Sequence, residues 1–194
     1  MTLEALHDEM DNKYIYVTGG RLRGKTLGCV ERFSLGRGVW EACPRMMENR
    51  GSHGAAAIGA RLFALGGGGF DSNLATCEEF NAFDQIWSPI TPMKTFRHAL
   101  SVVAMNISAD FLRTNQSVIP VTDAHHRRTL PSDTSMDNTS DDVCLVFCIG
   151  GWMDGTVCSG HVEVYDVATN TWWVRRIHQL LIITVSILNT PSHH

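Results

Sequence analysis

Three times in this chain a glutamate is followed two residues later by an aromatic side chain, and seven residues after that by a tryptophan. The triplets are Glu31, Phe33 and Trp40; Glu78, Phe80 and Trp87; and Glu163, Tyr165 and Trp172. A spacing repeated in triplicate constrains the fold to a repeat architecture, in which each unit buries its apolar faces on its neighbours. Gly-Gly pairs keep the same register: Gly19-Gly20, Gly66-Gly67 and Gly150-Gly151 close the apolar runs YIYVTGG, RLFALGG and VFCIGG. The first two pairs lie 47 residues apart, as do Glu31 and Glu78. The third pair follows the second by 84 residues and Glu163 follows Glu78 by 85. Met46 and Arg50 follow Trp40 by the same intervals as Met93 and Arg97 follow Trp87, whereas those places after Trp172 hold His178 and Ile182.

Each unit reads as four short strands. Strand a is HGAAAIG (53–59) or HALSVVAM (98–105), strand b ends in Gly-Gly, strand c holds the Glu-x-aromatic and strand d the tryptophan. Connections such as FDSN, LGRG and VATN have turn composition. Four strands recurring every 47 residues predict an all-β fold of four-stranded antiparallel blades, because each small sheet has two faces to bury. The organisation expected is an N-terminal extension (1–13), repeats 1 and 2 with the first strand of repeat 3 (14–105), a polar insertion (106–142), the rest of repeat 3 (143–174) and a tail (175–194). On this reading the first blade lacks strand a. The tail, with its run TVSILN, is either strand a of a fourth blade or an unrelated segment. The insertion, rich in Ser, Thr, Asp and Asn, is expected to be a disordered loop.

The Gly-Gly pair, the Glu-x-aromatic, the tryptophan and the following methionine together resemble the kelch repeat. GGWMDGTVCSGHVEVYDVATNTW (150–172) is especially similar to blades of the kelch-like (BTB-kelch) proteins. The resemblance covers 14–105 and 143–174 and implies a partial kelch β-propeller of about three blades, where the family usually has six. It implies a protein–protein interaction module: kelch-like propellers grip partner peptides on the rim formed by the b–c and d–a loops. Some recruit substrates to a cullin-RING ubiquitin ligase while a BTB domain holds the cullin, and others bind actin. On that rim Arg21, Arg23 and Lys25, with Arg45, form a candidate basic pocket for an acidic peptide, and Asp71, Asn73, Met153 and Asp154 are candidate contacts. The repeated positions take structural roles. The Gly-Gly pairs allow steep turns, the aromatics fill the wedge between blades, and Glu and Arg form a buried hydrogen-bonded link. Open blade edges in an incomplete ring predict self-association.

Other classes find little support. Kelch propellers also occur in copper radical oxidases and sugar-processing enzymes. The three tyrosines here, Tyr14, Tyr16 and Tyr165, all fall in predicted strands, the nine histidines form no ligand-like set, and no nucleophile elbow or phosphate loop is present. The chain is therefore expected to be no enzyme, with no cofactor and no metal. HHRR at 125–128 has no acidic or Cys partner at ligand spacing. A net charge of −4 gives no support for nucleic-acid binding. The six cysteines form no CxxC pair, which suits a reducing compartment. The N-terminal stretch has no secretory pattern, and the longest apolar run, LLIITVSIL, is too short to cross a bilayer as a helix. A cytoplasmic protein without membrane contact is expected.

Overall fold

The computed structural model describes residues 2–7, 13–68, 72–114, 142–153 and 157–176, with only the backbone described for 2–7 and for Arg176. The described residues form three four-stranded antiparallel sheets in which each strand pairs with the next along the chain. Blade 1 is β1 (Thr2–His7), β2 (Lys13–Thr18), β5 (Val30–Ser34) and β6 (Val39–Cys43). Between β2 and β5 the two-residue strands β3 (Arg21–Leu22) and β4 (Lys25–Thr26) form a separate small hairpin. Blade 2 is β7 (Gly54–Ile58), β8 (Arg61–Leu65), β9 (Cys77–Asn81) and β10 (Ile86–Ile90). Blade 3 is β11 (Ser101–Ser108), β12 (Asp142–Ile149), β13 (His161–Asp166) and β14 (Thr171–Arg176). The first strand of blade 2, β7, contacts the first strands of both neighbours, β1 and β11, so the three sheets fan out from a shared inner edge. This is the arrangement of a partial β-propeller.

Two expectations are corrected. The first blade has its strand a: Thr2–His7 pairs with β2 from Thr2↔Thr18 to His7↔Lys13, so this part of 1–13 is no free extension. Strand b is therefore already paired on both sides. The insertion also begins later than expected, because β11 and β12 continue their ladder through Asn106↔Cys144, Ile107↔Val143 and Ser108↔Asp142. A short helix, α1 (Ala109–Thr114), follows directly. Ala109 and Leu112 of α1 are fully buried against Ile107, Leu145, Phe147 and Val164. The apolar ADFL start of the loop thus covers one face of blade 3, which the polar average of the segment concealed. The rest of the insertion (115–141) and the tail from 177 onward lie outside the described residues, as do HHRR and TVSILN.

The core lies between blades. Tyr14, Tyr16 and Met46 pack with Leu62, Phe80 and Trp87 at the first joint. Phe63, Leu65 and Met93 pack with Val146, Cys148, Tyr165 and Trp172 at the second. Period-two alternation sends successive side chains of each strand to opposite joints. Tyr16 meets Phe80 with ring centroids 5.9 Å apart, and Phe63 meets Tyr165 at 6.2 Å. These tilted and edge-on contacts suit the ring quadrupoles.

The Gly-Gly turns hold each blade to the segment that leaves it. Gly66 and Gly67 both have positive φ, at 58° and 96°, and the Gly67 amide donates to the Arg97 carbonyl at 2.9 Å. A β-carbon at Gly66 would lie 2.7 Å from that same carbonyl oxygen. Only glycine tolerates both the left-handed backbone and the close approach.

Candidate functional site

On the side of the b–c and d–a loops, described residues of neighbouring blades touch one another. In blade 1 the b–c loop is the β3–β4 hairpin, whose turn residues Arg23 and Gly24 have φ of 49° and 79°. Positive φ at both central positions is the signature of a type I′ turn, which matches the twist of its flanking strands. The hairpin presents Arg21, Leu22, Arg23 and Lys25 to solvent, with Leu22 60% exposed, while Thr26 turns inward. The Arg21 side chain lies across blade 2: its guanidinium rests over Gly68 and its aliphatic stem over Gly51. Gly51 and Gly68 exchange backbone hydrogen bonds at 3.0 and 2.7 Å, which binds the entry of blade 2 to its own b–c loop. That loop reaches blade 3 in turn, where the Asn73 side-chain amide donates to the Met153 carbonyl at 2.6 Å.

Of the sequence-predicted contacts, the structure thus links Arg21 to blade 2 and Asn73 to Met153, and places Arg23 and Lys25 on one exposed hairpin. Arg45 has other neighbours: its guanidinium donates to Asn49 Oδ1 at 3.4 Å and lies beside Gly28. Asp71 and Asp154 lie outside the described residues. Among the described residues no group of three or more His, Cys, Asp or Glu side chains is placed to hold a metal ion. No helix among them is long and apolar enough to cross a membrane. Burial pushes the Cys77 and Cys148 thiols up to about 12, whereas Cys29 and Cys158 are exposed.

Beneath the rim, the repeated Arg, Glu and Trp residues join neighbouring blades. Arg50, on the segment leaving blade 1, donates from Nε to Glu78 Oε1 of blade 2 at 2.8 Å and from Nη1 to the carbonyls of Gly66 and Thr76. The Glu78 carboxylate also accepts the Met47 and Glu48 amides at 2.7 and 3.4 Å. The second joint repeats the pattern. Arg97 Nη2 meets Glu163 at 2.6 Å, Nη1 reaches the carbonyls of Gly150 and His161, and Glu163 accepts the Lys94 and Thr95 amides and the Thr95 hydroxyl. Trp87 and Trp172 complete these two joints by donating to a carbonyl of the preceding blade's exit. Trp87 reaches Pro44 at 3.0 Å and Trp172 reaches Thr91 at 2.6 Å. Glycine turns, aromatics and the buried ion pair therefore converge on the same joints. The Trp-to-carbonyl bonds and the Glu-capped amides are details that spacing alone did not reveal.

Comparison with known proteins agrees with this geometry. The kelch motif family matches residues 10–47 and 144–172, which cover three strands of blade 1 and, in blade 3, most of the second strand, the third and the start of the fourth. An F-box/kelch-repeat protein of Arabidopsis thaliana is 27% identical over 163 residues, spanning 81% of this chain and 30% of that protein. The chain therefore corresponds to under a third of that relative's length. Blade 2 lies outside the motif match but has the same four-stranded sheet and the same joints as its neighbours. The matched motifs and the repeated joints support reading the chain as a kelch-repeat protein, and its three described four-stranded sheets form a partial β-propeller.

Proposed function

We propose that the b–c and d–a rim binds a protein or peptide ligand that is acidic where it meets Arg21, Arg23 and Lys25. Kelch repeats serve as protein–protein interaction modules, and this chain is the recognition part of a substrate adaptor for a cullin-RING ubiquitin ligase. It acts in the cytoplasm without a catalytic step of its own. The observation that carries the reading is the β3–β4 hairpin. It exposes three cations and Leu22 in one turn, on loops that hydrogen bonds and packing hold in a fixed relation. A rigid, charged loop with an apolar residue beside it loses little entropy on binding and can pair carboxylates directly. The relative's name pairs kelch repeats with an F-box, which supports a kelch propeller working beside a second module. The resemblance noted in the sequence pairs them with BTB.

The test is binding of fluorescent acidic decapeptides by anisotropy, at 50 and 300 mM salt, to the chain and to an Arg21→Ala/Arg23→Ala/Lys25→Ala variant. The variant is expected to bind at least about tenfold more weakly, and the salt dependence to shrink with it, because the interaction is charge-paired and exposed. Equal binding by the two proteins refutes the basic hairpin as the contact.

A further inference from the structure

The two joints differ at two buried places beside their methionines. Between blades 1 and 2, Met46 lies in one cluster with Val30, which opens β5, and Ala64, two residues before Gly66. Between blades 2 and 3 the equivalent methionine is Met93. There the same two places hold Cys77, which opens β9, and Cys148, two residues before Gly150. Both methionines are anchored alike: the Met46 amide donates to the Gly28 carbonyl and the Met93 amide to the Ala75 carbonyl, each at 2.9 Å. Packing a joint around its methionine therefore does not by itself call for thiols, since the first joint is built from Val and Ala.

Cys77, Met93 and Cys148 form one group. The Cys148 thiol lies 3.3 Å from Met93 Sδ. The Cys77 thiol lies 3.4 Å from the Ala75 carbonyl that also accepts the Met93 amide. All three residues are at most 4% exposed. The Cys148 thiol, raised first by burial, also feels Arg97, Glu163 and Cys77. Among the described residues no His, Asp or Glu joins the two cysteines as a third ligand of that kind.

We propose that Cys77, Met93 and Cys148 are the ligands of a copper(I) ion that clips blade 2 to blade 3. Two thiolates and a thioether are soft donors, the set that selects copper(I), whereas structural zinc takes four ligands. Loading forms two Sγ–Cu bonds and one Sδ–Cu bond; both thiol protons leave to solvent and no electron is transferred. The complex gains one net negative charge, with Arg50 near Cys77 and Arg97 near Cys148 to offset it, while Glu163 is already paired with Arg97. Two ligands come from blade 2 and one from blade 3, so the ion is a cross-link and its binding adds to the stability of the joint. The cysteines lie 71 residues apart, which hides the group from any search for CxxC pairs.

The test titrates copper(I), buffered by bicinchoninate under reductant, into the whole chain carrying Cys29→Ser/Cys158→Ser, which removes the two exposed thiols. One ion per chain is expected to be retained, with three sulfur neighbours by X-ray absorption at the copper edge. Adding Cys77→Val/Cys148→Ala gives the second joint the residues of the first, so the fold is expected to persist, which near-UV circular dichroism verifies. That variant is expected to bind copper(I) at least about a hundredfold more weakly, since losing only a partner of a ligand already costs about 10–100-fold. Met93→Leu, a volume-conserving change that keeps both thiols, is expected to lower the sulfur count by one. Copper(I) is expected to raise the urea midpoint of the parent chain and to leave that of the Cys77→Val/Cys148→Ala variant unchanged. Failure of the parent chain to take an ion from bicinchoninate overturns the site, as does equal binding by the Cys77→Val/Cys148→Ala variant. An unchanged sulfur count in Met93→Leu overturns the thioether ligand. Zinc(II) bound more tightly than copper(I) overturns the metal.

Discussion

The same glutamate occurs in three repeats but in two environments, so one substitution made three times tests how the joints work. In Glu163→Gln the side chain keeps its size and loses its charge. Glu163 and Arg97 are both fully buried, and the carboxylate accepts from the Lys94 and Thr95 amides, the Thr95 hydroxyl and the Arg97 guanidinium. A glutamine has one accepting oxygen, so its NH2 must face a donor: the Lys94 amide if the oxygen keeps Thr95 and Arg97. One charge-assisted bond is lost, about 1.5–3 kcal/mol, and Arg97 is left as a buried cation without a counter-charge. Breaking one side of a buried pair costs about 3–5 kcal/mol in total. Glu78→Gln follows the same logic against Arg50, whose side chain and that of Glu78 are each 2% exposed. Glu31→Gln, at an exposed position, changes stability by no more than about 0.5 kcal/mol. Urea unfolding followed by circular dichroism reads the difference. With a slope of about 2 kcal/mol per molar urea, the two joint variants shift their midpoints down by about 1.5–2.5 M and Glu31→Gln by about 0.25 M at most. Equal shifts for all three would refute the joint as the source of the stabilisation and return the glutamates to a strand-edge role.

Two further outcomes follow from the turns and from the buried histidine. Gly66→Ala places a β-carbon 2.7 Å from the Arg97 carbonyl at a φ of 58°. It is expected to cost well over the about 1–2 kcal/mol of left-handed strain alone, whereas Gly59→Ala, at a φ of 57° with open space around it, shows only that strain; thermal melts of the two variants should separate by several degrees. His53 is held down to about 3, first by burial and then by nearby positive charge that includes Arg50, with Thr18 Oγ1 2.8 Å from its Nε2. Between pH 6.5 and about 3 the unfolded chain binds a proton there that the folded chain does not, so folding loses up to about 1.4 kcal/mol per pH unit as pH falls. Urea midpoints from pH 7 to 4.5 should fall less steeply in His53→Gln, and an unchanged slope would remove His53 from the account.

The repeat was legible because a blade's requirements sit at fixed intervals on one stretch of chain. Gly66-Gly67, Glu78, Phe80 and Trp87 each answer a local geometric need, and the same needs recur in phase. What spacing could not show is what lies between units. Glu and Arg of one repeat, such as Glu31 and Arg50, share a line of sequence but not a contact; Arg50 pairs with Glu78 of the next blade. The first strand of blade 1 was missed for a different reason. TLEALH has no Gly, a single Ala and its His at the end rather than at the start as in 53–59, and it is seated by the ladder with β2. Helix α1 was hidden by the polar residues that follow it: six residues of ADFLRT carry the apolar contacts, and the average over 106–142 erased them. On the rim, the basic hairpin could be read from its cations, but the path of Arg21 across Gly51 and Gly68 depends on two glycines 17 residues apart that meet only in the fold.

Because each repeat gives its arginine forward and receives one at its glutamate, a row of such repeats always has one fewer joint than blades. Here three blades make two joints, at Glu78 and Glu163, and Glu31 is the receiver left over. Only a ring fills every receiver, and it does so only if the last repeat gives an arginine back to the first. Repeat 3 holds Ile182 at that place, an apolar side chain with nothing to offer a carboxylate and two carbonyls. Burying Glu31 without such an arginine would leave it without a counter-charge, at a cost of several kcal/mol.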